Sequence, residues 1–219
     1  ELLIMALNRL DLPNVITVAR ILACPVLFVL VLSSNVVHLT LAFLIFLAAA
    51  LSDLWDGYLA RKHGWITDTG KLLDPLADKL LLLATFVPFF IVSHRPESVT
   101  NIPWWGSFPL WVVAVIFGRE LLVTFFRTWA ARRGAVVSAG SSGKIKTLTQ
   151  NIFSGTLIGW YALARTAEGR GWEGSLGWTL WGWFHGTVVA VSLALALLLT
   201  VYSLAVYCWE HRQLLRGAG

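Results

Sequence analysis

The 219-residue chain is 57% hydrophobic and only 13% charged, with a mean hydropathy of +0.71. Soluble domains carry about twice this charged fraction, so the composition excludes an ordinary soluble protein. The formal net charge of +5 is expected to reflect membrane topology and anionic lipid headgroups, and no nucleic-acid partner is predicted.

Apolar runs of about 20 residues, the length that crosses a hydrocarbon core of about 30 Å, recur along the chain. We predict one all-α integral membrane domain over residues 1–219, beginning with a short amphipathic surface helix at 1–12. Six spans are predicted at about 15–33, 39–61, 71–92, 108–131, 147–165 and 180–208. The first is not interpreted as a signal peptide, because it contains Arg20 and Pro25 and lacks a small-residue cleavage site.

Lysine and arginine are distributed unevenly about these spans. Six spans place both termini on one side, and 14 of the 17 Lys and Arg residues fall on that side. The opposite side receives only Arg95, Arg165 and Arg170. Because positively charged loops stay in the cytoplasm, both termini are predicted to be cytoplasmic, with the chain in the cell's inner membrane.

The first span carries three polar residues at helical spacing, Asn14, Thr17 and Arg20. Residues three apart on a helix share a face. These three side chains are therefore predicted either to face one polar cavity or to serve polar packing between helices.

Four aspartates lie where the second span ends and the third begins: Asp53, Asp56, Asp74 and Asp78. Spacings of three and four residues put each pair on one helix face, and the short connection between the spans brings the pairs together. Any one of them alone is typical of a solvated helix end. Together, embedded in apolar sequence, they would repel one another in low dielectric unless cations intervene. Carboxylates without His or Cys favour Mg²⁺, Mn²⁺ or Ca²⁺, and a pair of such ions suits displacement at phosphorus.

The neighbours of the aspartates also suit phosphate chemistry. Gly57 and Ala60 share the helix face of Asp53 and leave room for a flat ligand. Arg61 is suited to pair bidentately with a phosphate. Gly70 allows a turn or a close backbone approach.

A basic group follows on the fourth and fifth spans: Arg119, Arg127, Lys144 and Lys146. All four are predicted near the cytoplasmic surface, where they suit an anionic second substrate. Glu120, inside the same apolar run as Arg119, is expected to pair with an arginine and orient it.

The order Asp53-x₂-Asp56-Gly57-x₂-Ala60-Arg61-x₈-Gly70-x₃-Asp74-x₃-Asp78 resembles the signature of the CDP-alcohol phosphotransferases. The resemblance implies a membrane enzyme of six helices, often a homodimer, that transfers a phosphatidyl-type group from a CDP-linked donor to an alcohol and releases CMP. It implies two divalent cations, Mg²⁺ or Mn²⁺, on the four aspartates, with Asp78 also the general base. Gly57, Ala60 and Arg61 would border the cytidine and its phosphates, and Gly70, Asn14, Thr17 and Arg20 would lie near the donor.

Three further segments, "LPNVITVARIL", "GRELLVTFFR" and "GKIKTLTQ", look like the phosphatidylglycerophosphate synthase branch of that family. This resemblance implies CDP-diacylglycerol as donor and glycerol 3-phosphate as acceptor, its phosphate held by Arg119, Arg127, Lys144 and Lys146. Sister enzymes that use inositol phosphate, phosphatidylglycerol or serine remain alternatives. An alternative of another class is a non-enzymatic cation or proton carrier, which would explain the aspartates but not the basic group.

Overall fold

A computed structural model describes residues 2–63, 67–95, 106–133, 142–172, 174–210 and 212. At positions 2–12, 54, 56–61, 63, 68, 69, 71, 72, 127, 131, 142–144 and 210 it describes the backbone and not the side chain. Within these ranges the chain forms α-helices and no strand, which confirms the predicted all-α class. The helices are α1 (Leu2–Val31), α2 (Val36–His63), α3 (Asp68–Ser93), α4 (Leu110–Arg132), α5 (Ser142–Arg170) and α6 (Leu176–Glu210).

Each predicted span corresponds to one of these helices, with differences at the ends. Helix α1 runs without a break from Leu2 to Val31, so the predicted boundary between a surface helix at 1–12 and the first span does not interrupt the helix. The placement of residues 1–12 on the membrane surface stays a prediction. Helix α6 has 35 residues, more than the roughly 20 that a single crossing needs.

Among the residues that the structure describes, four helical segments are long and apolar enough to cross a membrane: Pro13–Val31, Val36–Asp53, Leu73–Ser93 and Leu176–Trp209. These segments make the chain a multi-pass membrane protein. Helices α4 and α5 have a more polar composition, because they carry charged and amide side chains such as Arg119, Glu120 and Gln150. Spans in α4 and α5 therefore stay a prediction.

The order of the helices brings the predicted site residues to one end of the fold. Helix α1 packs against α2 and α3, and α5 packs against α2 and α6. The Arg95 guanidinium donates to the Leu32 carbonyl at 2.7 Å, so the ends of α1 and α3 lie at the same level. The opposite end therefore gathers the first half of α1, the second half of α2 and the start of α3.

Helices α2 and α5 approach closely because two phenylalanines lie over two glycines. A Cβ added to Gly155 would lie 3.1 Å from the Phe46 ring, and one added to Gly159 would lie 3.1 Å from the Phe43 ring. The two contacts fix an antiparallel register in which each step toward the end of α2 is a step toward the start of α5.

Candidate active site

Arg20 of α1 joins carboxylates from two other helices. Its Nη1 atom forms an ion pair with Asp53 Oδ1 of α2, and the same nitrogen lies 3.6 Å from Asp78 Oδ1 of α3. The Arg20 side chain is 1% exposed, so this cation is held inside the protein. The structure therefore brings Asp53 and Asp78 together around one positive charge, although 25 residues separate them in the sequence.

Asp74 lies one turn before Asp78 and contacts α1 through a different residue. The Thr17 hydroxyl lies 3.0 Å from Asp74 Oδ1 and 3.0 Å from the Pro13 carbonyl oxygen. Thr17 is 1% exposed, so its hydroxyl depends on these two acceptors, although the Asp74 side chain itself reaches the surface. The two contacts hold the Asp74 carboxylate against the same face of α1 that presents Arg20.

The start of α3 is fixed by a local cap that also reaches α1. Thr67 is the N-cap residue of α3, and its Oγ1 accepts a hydrogen bond from the Gly70 amide at 3.0 Å. The same hydroxyl donates to Asn14 Oδ1 at 2.9 Å. A Cβ at position 70 would lie 2.9 Å from Asn14 Oδ1 and 3.1 Å from Thr67 Oγ1, so the close approach predicted for this glycine is present.

Replacing Gly70 by alanine is therefore expected to destabilise the protein. Overpacking costs about 1–3 kcal/mol, or several degrees of melting temperature for a chain of this size. Gly118→Ala is the matched control, because no described atom lies within 4 Å of a Cβ added there. Thermal unfolding of both variants in detergent tests the expectation, and equal melting temperatures for the two would contradict it.

Several predicted site residues lie outside the described side chains. Asp56, Gly57, Ala60 and Arg61 belong to the described backbone of α2, three to eight residues after Asp53. Among the side chains that are described, no group of three or more Asp, Glu, His or Cys residues is arranged to hold a metal ion. The two-cation site therefore stays a prediction. The donor set nevertheless fits a hard cation, because the oxygens of Asp53 and Asp78 already converge on the positive charge of Arg20.

A second charged cluster joins α4 to α5. Glu120 Oε1 forms an ion pair with Lys146 Nζ and lies 3.3 Å from Arg119 Nη1. The Lys146 side chain is only 4% exposed, and a lysine this buried requires a paired charge. Arg127 and Lys144, the other predicted members, lie on the backbones of α4 and α5 with side chains outside the described set.

The two clusters are neighbours in space. Lys146 is close enough to Asp78 for their charges to attract. Lys79, next to Asp78 in the sequence, donates to the Thr124 hydroxyl at 2.7 Å and so connects α3 to α4. The carboxylate cluster and the basic cluster therefore lie side by side at one end of the helix bundle.

A large apolar groove begins at the carboxylates. Its volume is about 1040 Å³, and its walls come from α2, α5 and the first half of α6. Asp53, Asp78 and Thr147 line it at one end, and Thr40 and Thr166 line it near the other. This volume is slightly above the usual range for small-molecule sites, about 300–1,000 Å³, and suits the apolar part of a large ligand.

Three features of the site were not predicted from the sequence. Thr67 caps α3 and contacts α1. The available signal was a threonine just before an apolar helical segment, because threonine is a preferred N-cap residue. Glu120 pairs with a lysine on another helix as well as with the predicted arginine. Asn151 lines the groove. The available signal was its spacing of four residues from Thr147, which puts both polar side chains on one helix face.

This arrangement of carboxylates, basic side chains and an apolar groove is accompanied by clear sequence similarity. The profile of the CDP-alcohol phosphatidyltransferase family matches residues 10–209. The chain belongs to this family, as the signature predicted, and it is a phosphatidyltransferase.

Individual relatives narrow the comparison. The CDP-diacylglycerol–glycerol-3-phosphate 3-phosphatidyltransferase of Bacillus subtilis (strain 168) is 38% identical over 161 residues, covering 68% of this chain and 76% of that protein. The protein of the same name from Rickettsia typhi is 34% identical over 148 residues, with the same coverage. A cardiolipin synthase (CMP-forming) from Oryza sativa subsp. japonica is 37% identical over 148 residues, covering 64% of this chain and 43% of that protein.

Proposed function

We propose that this enzyme transfers the phosphatidyl group of CDP-diacylglycerol to glycerol 3-phosphate in phospholipid biosynthesis, giving phosphatidylglycerophosphate and CMP. The observation that carries the proposal is that two unlike charged clusters lie near each other, with Lys146 close enough to Asp78 for their charges to attract. Carboxylates suited to a cation-bound diphosphate lie beside a buried lysine and a partly buried arginine suited to an anionic acceptor. The names of the bacterial relatives support the same pair of substrates.

Different parts of the donor bind at the carboxylates and in the groove. Its diphosphate lies at the aspartates and its acyl chains follow the apolar groove that starts at Asp53 and Asp78. Gly57, Ala60 and Arg61 border the cytidine and its phosphates. Gly70, Asn14, Thr17 and Arg20 support the aspartates from α1 and the start of α3.

Two divalent cations, Mg²⁺ or Mn²⁺, belong to the proposed site. Asp53, Asp56, Asp74 and Asp78 would hold them, because these hard oxygen donors suit such ions. Bound there, the cations would neutralise charge on the phosphate that is transferred.

The reaction itself requires one proton transfer and one displacement. Asp78 accepts the proton of the primary hydroxyl of glycerol 3-phosphate. The resulting alkoxide oxygen forms a bond to the β-phosphorus of the donor, and the bond from that phosphorus to the bridging oxygen breaks. CMP leaves with the bridging oxygen. Arg119, Arg127, Lys144 and Lys146 hold the acceptor's phosphate so that its hydroxyl is oriented toward the donor.

We also propose a cellular arrangement for the enzyme. Both termini and the site lie at the cytoplasmic face of the inner membrane in this proposal, which the unequal distribution of Lys and Arg supports. The lipid bilayer supplies the donor laterally, and family resemblance supports a homodimer.

Separate assays with each acceptor test the proposed reaction. The purified protein is given CDP-diacylglycerol, Mg²⁺ and one of glycerol 3-phosphate, inositol phosphate, phosphatidylglycerol or serine, and CMP release is measured. CMP is expected with glycerol 3-phosphate. Release with another acceptor alone would overturn the acceptor assignment. No release with any acceptor would overturn the proposed reaction.

Removing divalent cations is expected to abolish turnover. After EDTA treatment, CMP release should fall to background, and it should return when Mg²⁺ or Mn²⁺ is added in excess. Ca²⁺ is a useful comparison, because its larger and more flexible coordination shell fits a different ligand geometry. Full turnover in EDTA would overturn the metal assignment and leave the acceptor assignment intact.

Glu120→Gln is expected to weaken binding of the acceptor more than it slows the chemistry. Glu120 holds Arg119 and Lys146 in place, and a hydrogen bond to a charged group contributes about 1.5–3 kcal/mol. We therefore expect the KM for glycerol 3-phosphate to rise about tenfold or more, with a much smaller change in kcat. Glu168→Gln is the matched control, because Glu168 pairs with Arg165 at the opposite end of the bundle. An unchanged KM in Glu120→Gln would contradict this role.

A further inference from the structure

The apolar groove contains one amide side chain close to the carboxylates. Phe46 lies opposite Gly155, and Asp53 is seven residues further along α2. In the antiparallel register, the residue of α5 level with Asp53 is therefore Leu148. Asn151 is three residues deeper in the groove, about 4.5 Å along the helix axis.

The Asn151 amide differs from the neighbouring hydroxyls. Thr40, Thr156 and Thr166 also line the groove, but each donates to a carbonyl of its own helix at 2.8–2.9 Å. For Asn151, no hydrogen bond is present among the residues that the structure describes. An amide in apolar surroundings is more stable when it makes a hydrogen bond, so a ligand with a polar group at this depth would be favoured.

The proposed donor has such a group at this depth. In a diacylglycerol, only a few covalent bonds separate the phosphate from the carbonyl oxygens of the acyl esters. A phosphate held at Asp53 and Asp78 therefore places these carbonyls about one helical turn into the groove. An ester carbonyl accepts hydrogen bonds, and the Asn151 NH₂ group donates them.

We infer that Asn151 is a specificity-determining residue that donates a hydrogen bond to an acyl ester carbonyl of the lipid donor. The inference rests on the proposed function and adds a chemical requirement to it: the enzyme distinguishes ester-linked from ether-linked CDP-lipids. An ether lacks the carbonyl oxygen and leaves the amide without its partner. Asn151 takes no part in the bond changes at phosphorus.

The test compares two donors in three proteins. CDP-diacylglycerol and its dialkyl ether analogue, with chains of equal length, are assayed with glycerol 3-phosphate and Mg²⁺. The proteins are the wild type, Asn151→Leu, which keeps the size of the side chain, and Thr40→Val, which removes a groove hydroxyl far from the carboxylates. The wild type is expected to prefer the ester about tenfold in kcat/KM, as one hydrogen bond allows. Asn151→Leu should lose the preference and Thr40→Val should keep it.

The outcomes separate the inference from the proposed function. Equal kcat/KM for both donors in the wild type would overturn the inference without any variant. A preference retained in Asn151→Leu would also overturn it. If Asn151→Leu does not fold, Asn151→Ala provides the same comparison with a smaller side chain. Failure of the wild type to release CMP from the ester donor with any acceptor would instead overturn the proposed function.

Discussion

Asp78→Asn is expected to reduce CMP release by at least about 10³-fold while the protein still folds. An asparagine keeps the shape of the side chain but accepts no proton, and general-base catalysis contributes about 10²–10⁴-fold. The loss of a proposed cation ligand adds to this effect. The Asp78 side chain is 44% exposed and asparagine has nearly the same volume, so the substitution should leave the packing of the core unchanged. Initial rates with saturating CDP-diacylglycerol and glycerol 3-phosphate measure the change.

The control for this variant is Glu168→Gln, which removes a carboxylate at the other end of the bundle. Its rate should equal that of the wild type. Size-exclusion profiles and melting temperatures in detergent show whether each variant folds. Wild-type rates in folded Asp78→Asn would end the assignment of Asp78 as the general base.

Arg20→Met is expected to destabilise the metal-free protein. The arginine is 2% exposed and lies between Asp53 and Asp78. Removing one partner of a fully buried ion pair costs about 3–5 kcal/mol, and the cost here is below that range because the two carboxylates are 26% and 44% exposed. Methionine retains much of the apolar volume, so the loss of charge dominates the change. Added Mg²⁺ should raise the melting temperature of this variant more than that of the wild type, because a cation at the aspartates replaces the missing charge.

A variant at another buried polar residue provides the comparison for Arg20→Met. Thr85→Val replaces a buried polar group in α3 whose hydroxyl bonds to carbonyls of its own helix, far from any proposed cation ligand. Mg²⁺ should shift its melting temperature no more than that of the wild type. Equal Mg²⁺ shifts in Arg20→Met and wild type would contradict the placement of a cation beside Asp53 and Asp78.

Much of the fold was predictable because the sequence alternates long apolar runs with short polar connections. The helix ends were less predictable. The first helix includes Pro13, and composition alone placed a boundary near that residue. Proline lacks the amide proton needed for a helical hydrogen bond, yet α1 continues through it. Helices α4 and α5 show the opposite difficulty, since the polar residues that serve the site also weaken the signal for a membrane span.

The site was predictable where chemistry is tied to spacing along one helix. Asp74 and Asp78, which both contact α1, are an example, as is the polar face of Asn14, Thr17 and Arg20. The pairing of Asp53 with Asp56 stays a prediction, because the Asp56 side chain lies outside the described set. Contacts between helices were not predictable in the same way. Nothing in the local sequence of Glu120 indicates that Lys146, 26 residues later, is its partner. Such pairings depend on how the helices pack against one another, and the spacing of residues along one helix does not reveal this packing.

The polar face of α1 makes its contacts only when the helix has the right rotation about its own axis. Asn14, Thr17 and Arg20 contact the start of α3, Asp74 and the Asp53–Asp78 pair, respectively. One residue of an α-helix corresponds to a rotation of about 100°. Inserting or deleting a single residue between Asn14 and Arg20 would therefore turn part of this face away from its partners. A side-chain substitution in α1 alters one of these connections, whereas a change in its length breaks the alignment among all three.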